Sequence, residues 1–190
     1  MAACWSSSFT AELAAARIGA TYNQYADSEL RRGRLRAYLD SRAHAGTILV
    51  GEAAGYRGAR VSGLPFTSER QLSGCGPAEA SATIVHRVLA DLGAAADVLL
   101  WNVVPTHPGT ATSNRRPTRA EVDAARPYLE ALLHGRRVVA VGRVAAAVLD
   151  APYVRHPAHG GGAAFADGLR RALAGFGTIP PRRKPGPAPA

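Results

Sequence analysis

The sequence has little cysteine, fewer acidic than basic residues and no long apolar run. Its two cysteines, Cys4 and Cys75, are too few for a disulfide framework or a four-cysteine metal site. No apolar run approaches the length of about 18 residues that a membrane-spanning helix needs. The N-terminus also lacks the charged and apolar segments of a secretory signal. We therefore expect no membrane association and, from the cysteine usage, a reducing cytoplasm.

The charge of the chain is strongly positive. Its 190 residues include 14 acids against 23 lysines and arginines, a formal net charge of +9, and nearly all the cations are arginine. An excess of this size indicates a polyanionic partner, most simply nucleic acid. Because arginine richness can also follow from a GC-rich genome, the charge supports such a partner without establishing it.

Apolar and β-branched runs predict four strands that alternate with helices. The strands are expected at 47–50, 97–104, 138–141 and 153–155. The predicted helices cover 9–18, 28–44, 77–92, 118–134, 142–149 and 163–174. This alternation predicts an α/β fold, a three-layer α/β/α sandwich around a central four-stranded parallel sheet.

The chain length fits one domain with a substantial core. We assign residues 1–177 to that domain, with residues 1–8 frayed and a core at 46–174. Residues 69–76 are expected to form a loop, and Pro127 to kink its helix. The last residues, 178–190, are rich in proline and arginine and are predicted to be a disordered tail.

A glycine-rich loop from Gly51 to Ser68 follows the first predicted strand. Glycines let the backbone approach a ligand closely, and Glu52 lies directly at the strand's carboxyl end. In parallel α/β sheets that end is where ligands bind. Taken alone, a ligand-binding loop and a surface turn with an incidental glutamate remain about equally open.

Other polar residues follow other strands. Asn102 lies in the second strand, His156 follows the fourth, and Phe66 comes at the end of the glycine loop. Taken singly, each has an ordinary explanation: Asn102 could cap a turn, His156 could be structural, and Phe66 could belong to the core. Because parallel strands end at one edge of the sheet, these side chains and Glu52 are expected to converge on one pocket.

Four short motifs stand out at and after the predicted strands. They are Gly51–Gly55 with Gly63–Phe66, Asn102–Val104, Ser113–Thr118, and His156–Pro157. In order and spacing they resemble the uracil-DNA glycosylase superfamily, most closely its bacterial and archaeal thermostable-type branch, and the likeness covers about 46–174. The resemblance implies a parallel four-stranded sheet between helices and a monofunctional enzyme that hydrolyses uracil from DNA, leaving an abasic site.

The resemblance also implies roles for single residues. Glu52 would orient or activate water, and Gly51 and Ala53 beside it would line the substrate site. Phe66 would stack on the extruded base, Asn102 would read the edge of uracil, and His156 would donate to uracil O2 as negative charge builds there.

DNA contacts are expected in two loops. Arg115 and Arg116 are expected to contact phosphates. His159 and Gly160 lie in the loop that enters the minor groove in this family, although no apolar wedge residue is evident. His159 could replace that wedge or cap the last helix, and we favour the cap.

The chain departs from the family pattern at three points. Ala54 replaces a usual proline, and Gly55 stands where some branches carry a tyrosine that blocks the 5-methyl group of thymine. Exclusion of thymine must then come from elsewhere. The iron–sulfur cluster of the nearest relatives needs four cysteines, so we expect no metal and no other cofactor.

Two interpretations other than a glycosylase are less well supported by the sequence. A catalytically silent member of the fold would bind DNA or damaged bases, but it would not need a water-activating acid. An unrelated α/β hydrolase or nucleotide binder lacks support, because the chain has no Gly-x-Ser-x-Gly elbow and no phosphate-loop lysine. We expect a monomer whose partner is DNA containing uracil or a related deaminated base, in the cytoplasm and associated with the nucleoid.

Overall fold

The computed structural model describes residues 2–175, with side chains from Trp5 onward. Within that range the chain alternates helices and strands. The elements are α1 (Ala2–Ala15), α2 (Glu29–Ser41), β1 (Thr47–Ala53), α3 (Ala59–Ser62), α4 (Glu69–Ser73), α5 (Ala80–Asp91), β2 (Val98–Val104), α6 (Arg119–Leu133), β3 (Arg137–Val141), α7 (Arg143–Val148), β4 (Tyr153–Val154) and α8 (Gly162–Gly175). The tail predicted at 178–190 lies outside the described residues.

The four strands form one parallel sheet in the order β2-β1-β3-β4. Successive residues of β1 face opposite sides, so Ile48 and Val50 join one apolar cluster and Leu49 joins another. Helices α1, α2, α6 and α7 contribute to the first cluster, and α5 and α8 to the second. The predicted α/β fold with its central four-stranded parallel sheet is confirmed.

The predicted boundaries of several elements were wrong. Helix α1 begins at Ala2 rather than Phe9, because Trp5 stacks on Phe9 at 5.1 Å and Ser6 is buried in the packed helix. Helix α5 begins at Ala80, after Pro77.

The predicted loop at 69–76 contains the short helix α4. A capping box between Ser68 and Gln71 starts α4, and Gly74 ends it in a left-handed conformation. The expected capping box at α6 is present between Thr118 and Glu121, and that helix continues through Pro127. Among residues 2–175, no helix is long and apolar enough to cross a membrane.

Candidate active site

A cleft of about 550 Å³ opens at the carboxyl edge of the sheet. The glycine loop, the loop between β2 and α6, and the segment after β4 line it. A smaller adjoining pocket shares part of this lining. Its walls are formed by Glu52, Ala53, Gly55, Ala59, Phe66, Glu79, Ser81, Asn102 and His156. The structure therefore brings the four side chains at the predicted strand ends around one pocket.

Gly51 allows two of these side chains to reach the pocket. It pairs with Asn102 across β1 and β2. A Cβ atom at Gly51 would overlap the Phe66 ring, with Cε2 at 2.8 Å, and would lie 2.9 Å from Asn102 Oδ1. No side chain other than glycine's hydrogen therefore fits here without displacing the ring or the amide.

Asn102 presents a buried but unpaired amide. The residue is 4% exposed. Its side chain makes no hydrogen bond to any residue between 2 and 175, although buried polar groups are normally paired. Its one acceptor oxygen and two amide protons therefore remain available to a ligand.

Phe66 is held in an unusual backbone conformation. Its φ is +51°, a region that costs a non-glycine residue about 1–3 kcal/mol and that clusters at functional sites. Hydrogen bonds from neighbouring residues hold the turn: the Ser62 hydroxyl donates to Thr67 O at 2.6 Å. His86 Nε2 also lies 3.1 Å from the Thr67 hydroxyl. The Phe66 ring faces the His156 ring at 6.4 Å between centroids.

The tautomer of His156 follows from its backbone contact. The Ala158 N–H donates to His156 Nδ1 at 3.2 Å, so Nδ1 carries no proton. Burial, and secondarily His159, lower the pKa of His156 and favour the neutral ring. The group that this histidine can offer to a ligand is therefore the Nε2–H donor.

Glu52 is partly buried at the end of β1. Burial raises the pKa of its carboxyl, and the nearby charge of Arg116 lowers it in part. Among the described residues nothing hydrogen-bonds to this carboxylate. It is thus free to hold a water molecule or to face a positive charge in the cleft.

The two arginines expected to bind DNA differ in their surroundings. Arg115 donates to both carboxylate oxygens of Glu121, at 2.6 and 2.8 Å. Glu121 is 2% exposed and also accepts from the Thr118 N–H at 2.8 Å. The Arg115 hydrogen bonds are the main cause that lowers the pKa of Glu121 to about 2. Both arginines line the cleft, but Arg115 also anchors its loop through Glu121, whereas Arg116 makes no ion pair to a described residue.

Several arginines of α2 are also engaged inside the protein. Arg31 Nε donates to Val61 O at 3.0 Å, and Arg34 pairs with Glu69 at 2.8 Å. These contacts fasten α2 to the glycine loop and to α4, which follows it. Part of the positive charge therefore stabilises the loop that carries the site.

His159 and Gly160 follow β4, and His159 lines the cleft. Both residues are exposed and have positive φ, +52° and +71°. His159 makes no side-chain hydrogen bond to any described residue, and α8 begins only at Gly162. The cap for the last helix that we favoured is therefore not formed, and the His159 side chain lines the cleft instead.

One residue that supports the site and one that lines it were missed from the sequence. His107 is fully buried, with Nδ1 2.6 Å from Ala54 O and Nε2 2.7 Å from Thr110 O, so it joins the glycine loop to the β2–α6 loop. Glu79, just before α5, lines both the cleft and the smaller pocket. Neither lies in a motif, and only the folded chain brings them to the site.

The site offers no arrangement of metal ligands. Within residues 2–175 there is no group of three or more histidine, cysteine or acidic side chains that could hold a metal ion. Cys75 is a free, exposed thiol. The cysteine count of the sequence likewise cannot supply the four thiolates of an iron–sulfur cluster.

Comparisons with known proteins show the fold and the family of the chain. The chain is similar in fold to the crystal structure of wild-type Pedobacter heparinus SMUG2, with a TM-score of 0.70 and 14% sequence identity, over 92% of this chain and 97% of that one. No curated protein matches the sequence. The Uracil DNA glycosylase superfamily matches residues 40–179, which include every candidate site residue. The chain belongs to the uracil-DNA glycosylase superfamily.

Proposed function

We propose that this protein is a monofunctional glycosylase that hydrolyses the N-glycosidic bond of uracil in DNA and leaves an abasic site. The observation that carries the proposal is the convergence of Asn102, His156, Phe66 and Glu52 on one pocket beside an open cleft. Each supplies a different part of what this reaction needs.

Asn102 would recognise the base. Its unpaired amide oxygen can accept from uracil N3–H, and its amide N–H can donate to O4. Cytosine presents the reverse pattern at these two positions. Phe66 would stack on the extruded base and compensate part of the stacking lost from the duplex.

His156 would stabilise the leaving base. Breaking the glycosidic bond places negative charge on uracil, and O2 carries part of it. The neutral ring carries its proton on Nε2 and can donate a hydrogen bond from there to O2. Removal of a comparable donor elsewhere costs about 2.7–4 kcal/mol of transition-state stabilisation.

Glu52 would act on the sugar side of the bond. Departure of the base leaves positive charge on the sugar, which a nearby carboxylate stabilises. The same carboxylate can orient the attacking water and accept its proton. Its lack of protein partners leaves both oxygens available for these tasks.

DNA would bind across the arginines of the cleft. Arg115, Arg116, Arg143 and Arg155 line the cleft. Of these, the three without an ion pair to a described residue, Arg116, Arg143 and Arg155, are the ones we expect to contact DNA phosphates. Such contacts release counterions, so affinity should fall steeply with salt. We place a monomeric enzyme of this kind in the cytoplasm, associated with the nucleoid.

A base-excision assay with the variant Asn102→Asp tests the proposal. The protein is incubated with oligonucleotides that carry one uracil, hypoxanthine or mismatch, and abasic sites are revealed by alkaline cleavage. The parent should cleave the uracil strand. Asn102→Asp should lose most of that activity, because the new carboxylate repels O4, and any cytosine excision that appears would fit its new acceptor.

Two results would contradict the proposal. A parent that binds uracil-containing DNA without producing abasic sites would instead be a catalytically silent member of the fold. A folded Asn102→Asp protein that excises uracil at the parent rate would show that Asn102 does not read the base.

A further inference from the structure

The Glu79 carboxyl lies at the pocket wall rather than on the helix that follows it. Glu79 is the N-cap residue of α5, and its side chain makes no capping hydrogen bond. The carboxyl instead lies against the glycine loop. A Cβ atom at Gly55 would overlap Glu79 Oε1 and lie 3.3 Å from its Cδ, and a Cβ at Gly58 would lie 2.8 Å from Cδ.

The carboxyl is therefore wedged over two glycines, in the space that a side chain at position 55 would fill. It makes no hydrogen bond to any residue between 2 and 175. Burial raises its pKa. A partly buried carboxyl without a partner is unfavourable, so its retention at the pocket wall calls for an explanation beyond folding.

The proposed function leaves one recognition task unassigned. Uracil and thymine present the same N3–H, O4 and O2 groups, so neither Asn102 nor His156 can tell them apart. They differ only in the 5-methyl group, and thymine is present throughout DNA. A rigid wall is needed beside C5, and Gly55 has no side chain to form it.

Placing the base by its polar contacts identifies that wall. With O2 at His156, the N3–O4 edge at Asn102, the sugar toward Glu52 and Phe66 on the face of the base, the C5 edge faces the remaining pocket residues. These are Ala53, Gly55, Ala59, Glu79 and Ser81. Of these five, only Glu79 has a long side chain. We infer that Glu79 is a specificity-determining residue that excludes thymine by occupying the space beside C5 of the bound base.

The inference rests on the proposed function and follows from the way Glu79 is held. The two glycine backbones behind the carboxyl prevent it from retreating when a methyl group approaches. A methyl group would also cover a polar group that has no other partner. Whether a pocket accommodates or excludes one methyl-sized group changes the relative rates of two substrates by about 10–200-fold.

The test compares thymine with uracil excision in matched duplexes. Each oligonucleotide carries a single T or U opposite G in the same sequence, and single-turnover rates are measured for the parent, Glu79→Ala, Glu79→Asp and Glu79→Gln. Glu130→Ala, which removes an exposed carboxylate of α6 far from the pocket lining, is the control and should match the parent.

Glu79→Ala should raise the thymine-to-uracil rate ratio at least about tenfold. Glu79→Asp, shorter by one methylene, should raise it less. Glu79→Gln, with the same size, should raise it least, because the wall is kept. The ratio is used because it does not depend on small changes in overall activity.

The outcomes separate this inference from the proposed function. A parent that excises no uracil contradicts the proposed function itself. If the parent excises uracil but neither Glu79→Ala nor Glu79→Asp gains thymine excision, the inference is wrong and the proposed function stands. Loss of all excision in both variants also contradicts it, since Glu79 would then serve folding or the reaction rather than selection.

Discussion

Replacing Arg115 or Arg116 singly should separate an anchoring arginine from a DNA-contacting one. The two are adjacent in the sequence and were expected to act alike. In the structure both line the cleft, but Arg115 pairs with buried Glu121 through two hydrogen bonds, at 2.6 and 2.8 Å, whereas Arg116 makes no ion pair to a described residue. Arg115→Ala should therefore lower stability, and Arg116→Ala should weaken DNA binding.

The size of the stability loss follows from the burial of Glu121. Removing one partner of a fully buried ion pair costs about 3–5 kcal/mol. Here the Arg115 side chain is 41% exposed, so water can reach part of the pair. A loss of about 1.5–3 kcal/mol, typical of hydrogen bonds to charged groups, is therefore expected. In a protein of this size that corresponds to a fall in Tm of about 3–12 °C.

Thermal unfolding and DNA titration measure the two effects. Melting curves followed by circular dichroism should show the lower Tm for Arg115→Ala and a parent-like Tm for Arg116→Ala. Titration of labelled DNA over a range of salt should show weaker binding and a salt slope smaller by about 0.9 for Arg116→Ala. If Arg115→Ala melts like the parent and Arg116→Ala binds like it, the assignment of the two roles is wrong.

Three further perturbations test other parts of the site. Glu52→Gln should slow uracil release by about 10²–10⁴-fold in single-turnover assays, with little change in a gel-shift measurement of DNA binding. Gly51→Ala should displace the Phe66 ring and cost about 1–3 kcal/mol in a urea titration, along with reduced excision; a parent-like protein would show that the ring has room to move. The pKa of Glu121, lowered to about 2 from 4.5, should add stability that is fully present above pH 4.5 and lost as the pH falls towards 2. Unfolding free energies between pH 6 and pH 2 should therefore decline less for Glu121→Gln than for the parent.

The fold could be predicted from the sequence because its strands are nearly all apolar. β1 and β2 are buried on both faces, and such runs identify the strands of a parallel sheet without further information. The parallel arrangement then requires that Glu52, Asn102 and His156 end at one edge. The amino-terminal helix was misjudged because its serines favour turns locally, and only the packing of Trp5 on Phe9 shows that the helix extends past them.

The role of Arg115 could not be read from its motif. The predicted capping box, in which the Glu121 side chain accepts from the Thr118 backbone N–H, is present in the structure. The motif does not show that Glu121 is buried deeply enough to need a cation as well. The charge of Arg115 indicated an exposed arginine, and Arg115 is exposed and lines the cleft; burial of its partner gives it a second role in holding the loop.

Glu79 shows the same limit at the pocket itself. From the sequence it is an acid ahead of a helix, in a position where acids are common because of the helix dipole. The space it fills is created by the absence of side chains at Gly55 and Gly58, which lie in a different loop. Only the folded chain relates the carboxyl to that space. Gly55 has no side chain that could exclude thymine. The absence of that side chain leaves the space that Glu79, from a distant part of the chain, fills to form the proposed wall.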